Sequence, residues 1–382
     1  MAQRYDVIVV GLGAMGSAAA FHLARRGARV LGLDRYAPPH AWGSSHGKSR
    51  IIREAYFENP CYVPLVQRAF ENWAALERLS DTPLLVRTGG LMLGPPDAQV
   101  VAGALASAER YDLPHEVLSA TDVLRRFPGL RPTADMIGVL EPRAGYVVPE
   151  LAIAAHLDLA ARARAELRTN EPVVSWSPAG DGVEVTTTGG RYTADRLVLA
   201  AGAWMRQLLP DLDLPLAVER NVIYWFRPPR PTTLFAVGRH PVIICEYTPG
   251  HAWYGFPDSG DGVKVGLHHT FGPGKRRESV EADTLSREIG ADEIAYMRAL
   301  VRTFLPDADG DLVDSAVCMY TNTPDEHFLI DAHPAYPQVE IVSPCSGHGF
   351  KFASAIGELI ADRALTGRTA FDLTPFRIAR LR

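Results

Sequence analysis

Residues 7–36, VIVVGLGAMGSAAAFHLARRGARVLGLDRY, constrain the fold more than any other part of the chain. An apolar run meets three glycines spaced Gly11-x-Gly13-x-x-Gly16; a small-residue segment follows, and a second apolar run stops at Asp34. This order predicts a strand, a glycine turn, a helix over roughly Ala14 to Arg26 and a parallel strand, which together make a βαβ unit. The first glycine permits the tight turn and the second lets backbone amides approach a pyrophosphate. The third lets helix pack on strand, while the helix N-terminus faces phosphate charge. Asp34 is placed to bond ribose hydroxyls, which argues against a 2′-phosphorylated cofactor. The stretch therefore reads as a dinucleotide site that suits NAD and FAD equally. A glycine turn needed only for helix–sheet packing is the plainer alternative.

The chain has 382 residues, more than one core usually supports, so two domains are expected. A charged fraction of 22% and a formal net charge of -5, with no long basic run, exclude nucleic acid as an evident partner. The short clusters Arg25-Arg26 and Lys275-Arg276-Arg277 read as solvated helix ends or loops. Cys61, Cys245, Cys318 and Cys345 are widely spaced, with no Cys-x-x-Cys pair and no zinc-type cluster, so reduced thiols and no metal are expected. The opening apolar run ends in the glycine turn rather than a cleavage site, and no apolar run is long enough to span a bilayer. A cytoplasmic protein without a membrane partner is expected.

The polar stretch Pro38 to Tyr56 is a loop candidate beside the nucleotide unit. Glu150 to Leu167 has helical spacing, and Val183 to Met205 reads as a hairpin turning at Gly189-Gly190 and then a buried strand ending in Ala-Ala-Gly-Ala. Short β-like runs broken by Pro and Gly from about Leu214 to Thr270 predict one antiparallel sheet. Helix resumes over Ala291 to Leu305. The end returns to strand, glycine turn and helix. In that last turn, CSGHGFKF, the side chains of His348, Phe350 and Lys351 crowd Gly347 and Gly349. A lysine in a first helical turn opposes the helix dipole, so a compensating anion is expected there. A solvated lysine is the bland alternative. The LVLAAGAW unit, 197–204, favours FAD over NAD, although a buried strand before a turn would explain it equally.

The runs GSSHGKSRIIREAY, WYGFP followed by GVKVGLHHTFG, VCMYTNTPDEHFLID, and SGHGFKFASAIGELIAD with FDLTPFR, in this order, resemble the monomeric sarcosine oxidase family. That family also holds N-methyltryptophan and pipecolate oxidases. The resemblance implies FAD bonded covalently through Cys318; by itself Cys318 would read as a core thiol. It implies that Lys264 serves reaction of reduced flavin with O2, where a cation lowers the cost of developing superoxide charge. It implies that Arg53 and Lys351 grip a substrate carboxylate, that Ser49 and Arg50 lie against the flavin, and that Tyr254 and His268 stand over the substrate amine. The resemblance also implies that Tyr320 and Cys245 lie on the substrate side and that Gly347, His348, Gly349, Phe350 and Lys351 line the cofactor together with Gly11, Gly13, Gly16 and Asp34.

The sequence departs from the family at four places. His268-His269 is doubled where one histidine is usual, Lys48 replaces an acid, Pro344-Cys345 stands where small residues are usual, and Cys245 stands where methionine is common. The smaller Cys245 would leave room for a larger substrate group.

The expected fold is an α/β two-domain flavoprotein. Residues 1–85, 145–213 and 310–382 would form a discontinuous Rossmann-like FAD-binding domain. Residues 86–144 and 214–309 would form an inserted antiparallel-sheet substrate domain. The implied reaction is oxidative demethylation of sarcosine or another small N-methyl amino acid by a monomer, with O2 as acceptor. N-methyl-L-tryptophan and the cyclic amino acids pipecolate and proline are the alternative substrates. Two rival classes remain: a nicotinamide dehydrogenase, which leaves Cys318, Lys264 and the last glycine turn unexplained, and a non-catalytic flavin redox sensor, which would not need Arg53 and Lys351 to converge on a carboxylate.

Overall fold

A computed structural model describes residues 4–269 and 279–381. The cluster Lys275-Arg276-Arg277 lies outside the described residues. Strand β1 (Arg4–Val10) leads through the glycine turn to helix α1 (Ala14–Arg25) and parallel strand β2 (Val30–Leu33). Alternation along β1 sends Val7 and Val9 into one core, under α1, and Ile8 and Val10 into a second core on the opposite face.

Among the described residues the strands form two eight-stranded sheets and a three-stranded one. In the first sheet β1 lies between β2 and the strand Arg191–Leu199, parallel to both. Val339–Ser343 extends this parallel run beside Leu197–Leu199. Helix α1 packs between Pro149–Arg162 and Ala353–Thr366. Gly357 makes the second contact close, since a Cβ there would lie 2.5 Å from Ala18. The hairpin turning at Gly189-Gly190 forms as expected, and its second strand continues unbroken into the buried one.

Three expectations need correction. The helix expected over Glu150–Leu167 ends at Arg162, and Glu166–Arg168 is a strand beside β2. Between them Arg164 takes a φ of 69°, which no helix accommodates. The second sheet is mixed rather than antiparallel, because Val242–Thr248 runs parallel to Gly90–Gly94 while its other strand pairs are antiparallel. Finally, Leu312–Asn322, which falls inside the 310–382 segment, pairs along its length with Ala217–Phe226 and so belongs to the second sheet. The remaining strands of that sheet come from 86–144 and 214–309. Its core includes Leu91, Tyr224, Trp253 and Phe304.

The stretch after Pro38 is mostly irregular, but Arg50–Ile52 forms a short strand against Gly145–Val147. No helix among the described residues is long and apolar enough to cross a membrane.

Candidate active site

A cavity of about 340 Å³ is lined by Gly11, Gly13 and Asp34 of the opening unit and also by Lys264, Tyr320 and Lys351. The opening glycines do different work. Gly11 has φ +88°, and a Cβ on it would lie 2.5 Å from Ala200 O; a Cβ on Gly16 would lie 1.7 Å from Gly11 O. Both are packing requirements. Gly13 meets only Ser45 Oγ, at 3.8 Å, so its open side is available to a ligand. Asp34 Oδ2 accepts from Leu12 N at 2.7 Å and Oδ1 from Tyr36 N at 2.8 Å, which ties the end of β2 to the glycine turn.

Lys264 is 2% exposed and donates to Gly47 O at 2.6 Å, Ser49 O at 2.7 Å and Ser49 Oγ at 3.0 Å. Burial, then the neighbouring Arg50 guanidinium, lower its pKa, while Cys318, Glu150 and the three oxygens it donates to favour the charged ammonium. Arg50 donates to Ser44 O and Ser49 O, and its Nη2 lies 3.4 Å from Cys318 Sγ. Burial pushes the Cys318 thiol up, but Arg50 and the His46 ring outweigh burial and bring it to about 7. Cys318 is thus a buried thiol with substantial thiolate character near neutrality.

Arg53 is 1% exposed, with its guanidinium between the rings of Tyr56 and Phe57, 4.2 and 4.1 Å from their centroids. Its Nη2 donates to Glu58 Oε2 at 2.5 Å. Burial raises the Glu58 pKa, but Arg53, His348 and Lys351 outweigh it and hold the carboxyl at about 2. Lys351 reaches the same Tyr56 ring, 5.2 Å from its centroid, and donates to His348 O at 2.7 Å. Burial, then Arg53, lowers its pKa to about 7. His348 Nδ1 meets Tyr56 OH at 2.6 Å, and burial lowers its pKa to about 4. Two cations and one carboxylate therefore share one wall of the cavity. Phe350 lines the cavity too and stacks on Trp73 at 7°.

The last glycine turn brings this wall to the second sheet. Gly347 has φ +77°, and a Cβ on it would lie 2.6 Å from the Tyr320 ring and 3.2 Å from His268 Cε1. Gly349 is packed on Pro344 O. Tyr254 pairs across the sheet with Gly266, whose missing side chain leaves space for the Tyr254 ring. Of the doubled histidines, His268 lines the cavity, and burial and then His269 keep it largely neutral. His269 turns its Nδ1 to Glu219 Oε2, 2.9 Å away.

Cys245 does not reach the cavity. It is fully buried in the core of the second sheet, while its neighbour Ile244 lines the cavity. Successive strand residues face opposite ways, so the cavity-facing position belongs to Ile244. Sequence reasoning missed Glu58, five residues after Arg53, and His46 beside Cys318. It also missed Glu150, read only as a helix residue. The one signal for Glu58 was an acid close after a buried arginine.

The cavity suits an anionic dinucleotide carrying a polar ring. It offers the open side of Gly13 and the cations Arg50 and Lys264. Asn221 and Thr321 also line it, and their buried side-chain polar atoms find no hydrogen-bond partner among the described residues.

Residues 6–363 match the family described as FAD dependent oxidoreductase. The chain is 47% identical to a monomeric sarcosine oxidase of Streptomyces avermitilis over 382 residues, 100% of this chain and 99% of that protein. It is 38% identical to an N-methyl-L-tryptophan oxidase of Salmonella heidelberg over 377 residues, 99% of each. The solved structure of NikD, an unusual amino acid oxidase essential for nikkomycin biosynthesis, has a TM-score of 0.86 at 28% identity, covering 98% of this chain and 97% of that one. The fold and site are those of an FAD-dependent oxidoreductase. Within that class the chain belongs to the family of monomeric sarcosine oxidases and N-methyl-L-tryptophan oxidases.

Proposed function

We propose that this enzyme demethylates sarcosine and other small N-methyl amino acids by oxidation, with FAD joined covalently to Cys318. The overall change is R–NH–CH3 + O2 + H2O → R–NH2 + HCHO + H2O2. When bound, FAD takes two electrons from the C–N unit and passes them to O2; that chemistry belongs to the cofactor. Ser49, Arg50, the opening glycines and the turn Gly347–Lys351 would hold it, and Asp34 would bond its ribose.

The observation that carries the reading is the Arg53–Lys351 pair on the Tyr56 wall. A cation pair in an interior this dry requires an anion, and a substrate carboxylate supplies one in addition to Glu58. Tyr254 and His268 would orient the amine. A neutral His268 accepts or donates a hydrogen bond without repelling an amine, and an amine entering a dry site sheds its proton without a dedicated base. Lys264, near Cys318 through Arg50, would lower the cost of negative charge developing on O2.

With Cys245 in the core, no extra room arises at that position, which weighs toward small substrates over N-methyl-L-tryptophan and cyclic amino acids. We further propose that the two large sheets mark a cofactor half and a substrate half, and that the enzyme is a cytoplasmic monomer. Four free cysteines suit a reducing compartment. Comparing kcat/KM for sarcosine, N-methylalanine, N-methyltryptophan, proline, pipecolate and dimethylamine tests the reading. Sarcosine is expected to lead and dimethylamine to be poor. Preference for the indole substrate would favour the alternative, and dimethylamine equal to sarcosine would refute the carboxylate clamp.

A further inference from the structure

Glu150 opens the helix Pro149–Arg162, where a carboxylate is favoured by the helix dipole. Its Oε1 accepts from Gly47 N at 2.7 Å and from Lys48 N at 3.0 Å. The backbone it holds is unusual. Gly47 has φ +103° and Lys48 has φ 68°, a conformation that costs a lysine free energy unless its surroundings enforce it. Gly47 cannot be replaced without strain, because a side chain disfavours φ +103° whatever the space around it. The amides of this turn go to Glu150, while the carbonyls of Gly47 and Ser49 go to Lys264 Nζ. One carboxylate thus sits behind the turn and one ammonium in front of it.

We propose that Glu150 is a positioning residue for Lys264: by binding the Gly47 and Lys48 amides it aims the Gly47 and Ser49 carbonyls at the ammonium and keeps it in place in the cavity. The proposal rests on the reading that Lys264 serves the reaction with O2. Without the carboxylate, the part-buried Gly47 amide and the exposed Lys48 amide lose their acceptor and the left-handed turn loses what enforces it, so the carbonyl pair no longer converges.

Two crossed variants test this. Glu150→Asp keeps the charge and shortens the reach; Glu150→Gln loses the charge and keeps an acceptor oxygen at the right distance. Reduction by sarcosine without oxygen and reoxidation by O2 are measured separately by rapid mixing. Hydrogen exchange of the peptide containing Gly47 and Lys48 is measured by mass spectrometry, independently of turnover. Glu150→Asp is expected to slow reoxidation by about tenfold or more, keep reduction within about threefold and speed exchange of that peptide. Glu150→Gln is expected to stay within about threefold of the parent in both rates, with exchange unchanged. In a Lys264→Met background, Glu150→Asp should add nothing to the slow reoxidation.

An Asp variant with normal reoxidation and normal exchange overturns the proposal. So does equal loss in both half-reactions, which marks a merely structural role, or a Gln variant as slow as Asp, which makes charge the cause. If Lys264→Met alone reoxidises normally, the reading of Lys264 fails instead, and the exchange data still judge the Glu150 contact.

Discussion

Lys264→Met removes the buried ammonium and keeps most of its apolar bulk. The side chain is 2% exposed and spends its three donors on Gly47 and Ser49, so no bulk water replaces the lost charge. A unit charge about 4 Å from a developing anion is worth about 4 kcal/mol at an effective dielectric of 20. That is about a thousandfold in the rate at which reduced enzyme reacts with O2. On the proposed reading the substrate carboxylate is held away from Lys264, by Arg53 and Lys351. Anaerobic reduction should therefore stay within about tenfold, or about 1.4 kcal/mol. The assay mixes oxidised enzyme with sarcosine under argon, then reduced enzyme with oxygenated buffer, following the flavin absorbance in each. Equal slowing of both halves would make Lys264 a structural or substrate residue, and unchanged reoxidation would refute the electrostatic argument.

Acid precipitation should leave yellow colour in the pellet, and Cys318→Ala should release it to the supernatant; colour retained by that variant refutes the attachment. A carboxylate bound at Lys351 favours its charged form, so binding raises a pKa that is about 7 in the free protein. Acetate should therefore bind independently of pH between its own pKa and that value, and weaken up to about tenfold per pH unit above it, until the bound-state pKa is passed. Titrating the flavin spectrum with acetate checks this: Lys351→Met should flatten the profile, and a flat profile in the parent refutes it. Ile244→Ala should shift kcat/KM toward bulkier N-methyl amino acids by about tenfold or more, while Cys245→Ala should leave the ratio within about twofold. The reverse result would place Cys245 on the substrate side.

The opening βαβ unit was legible because its causes are local. Apolar periodicity sets β1, α1 and β2, and Gly16 is forced by Gly11 O within the same turn, whereas Gly11 itself is packed on the distant Ala200. The hairpin at Gly189-Gly190 and the helix Ala291–Phe304 were readable for the same reason. The family was legible too, through long motifs that keep Cys318, Lys264, Arg53 and Lys351 in recognisable surroundings. Composition alone placed none of them together. Lys264 meets the Gly47 carbonyl 217 positions away, and Lys351 meets Tyr56 295 positions away. Such meetings depend on the registers of several strands at once.

Tertiary structure also decided which side of a strand counts. A shift of one residue separates the cavity-lining Ile244 from the core Cys245, and His268 from the Glu219-bound His269. Sequence alone determined which chemical groups the chain carries and the local turns that present them. Only the packed sheets decided which groups face one another, because that is set by strand pairing and burial across the whole chain rather than by any residue's own neighbours.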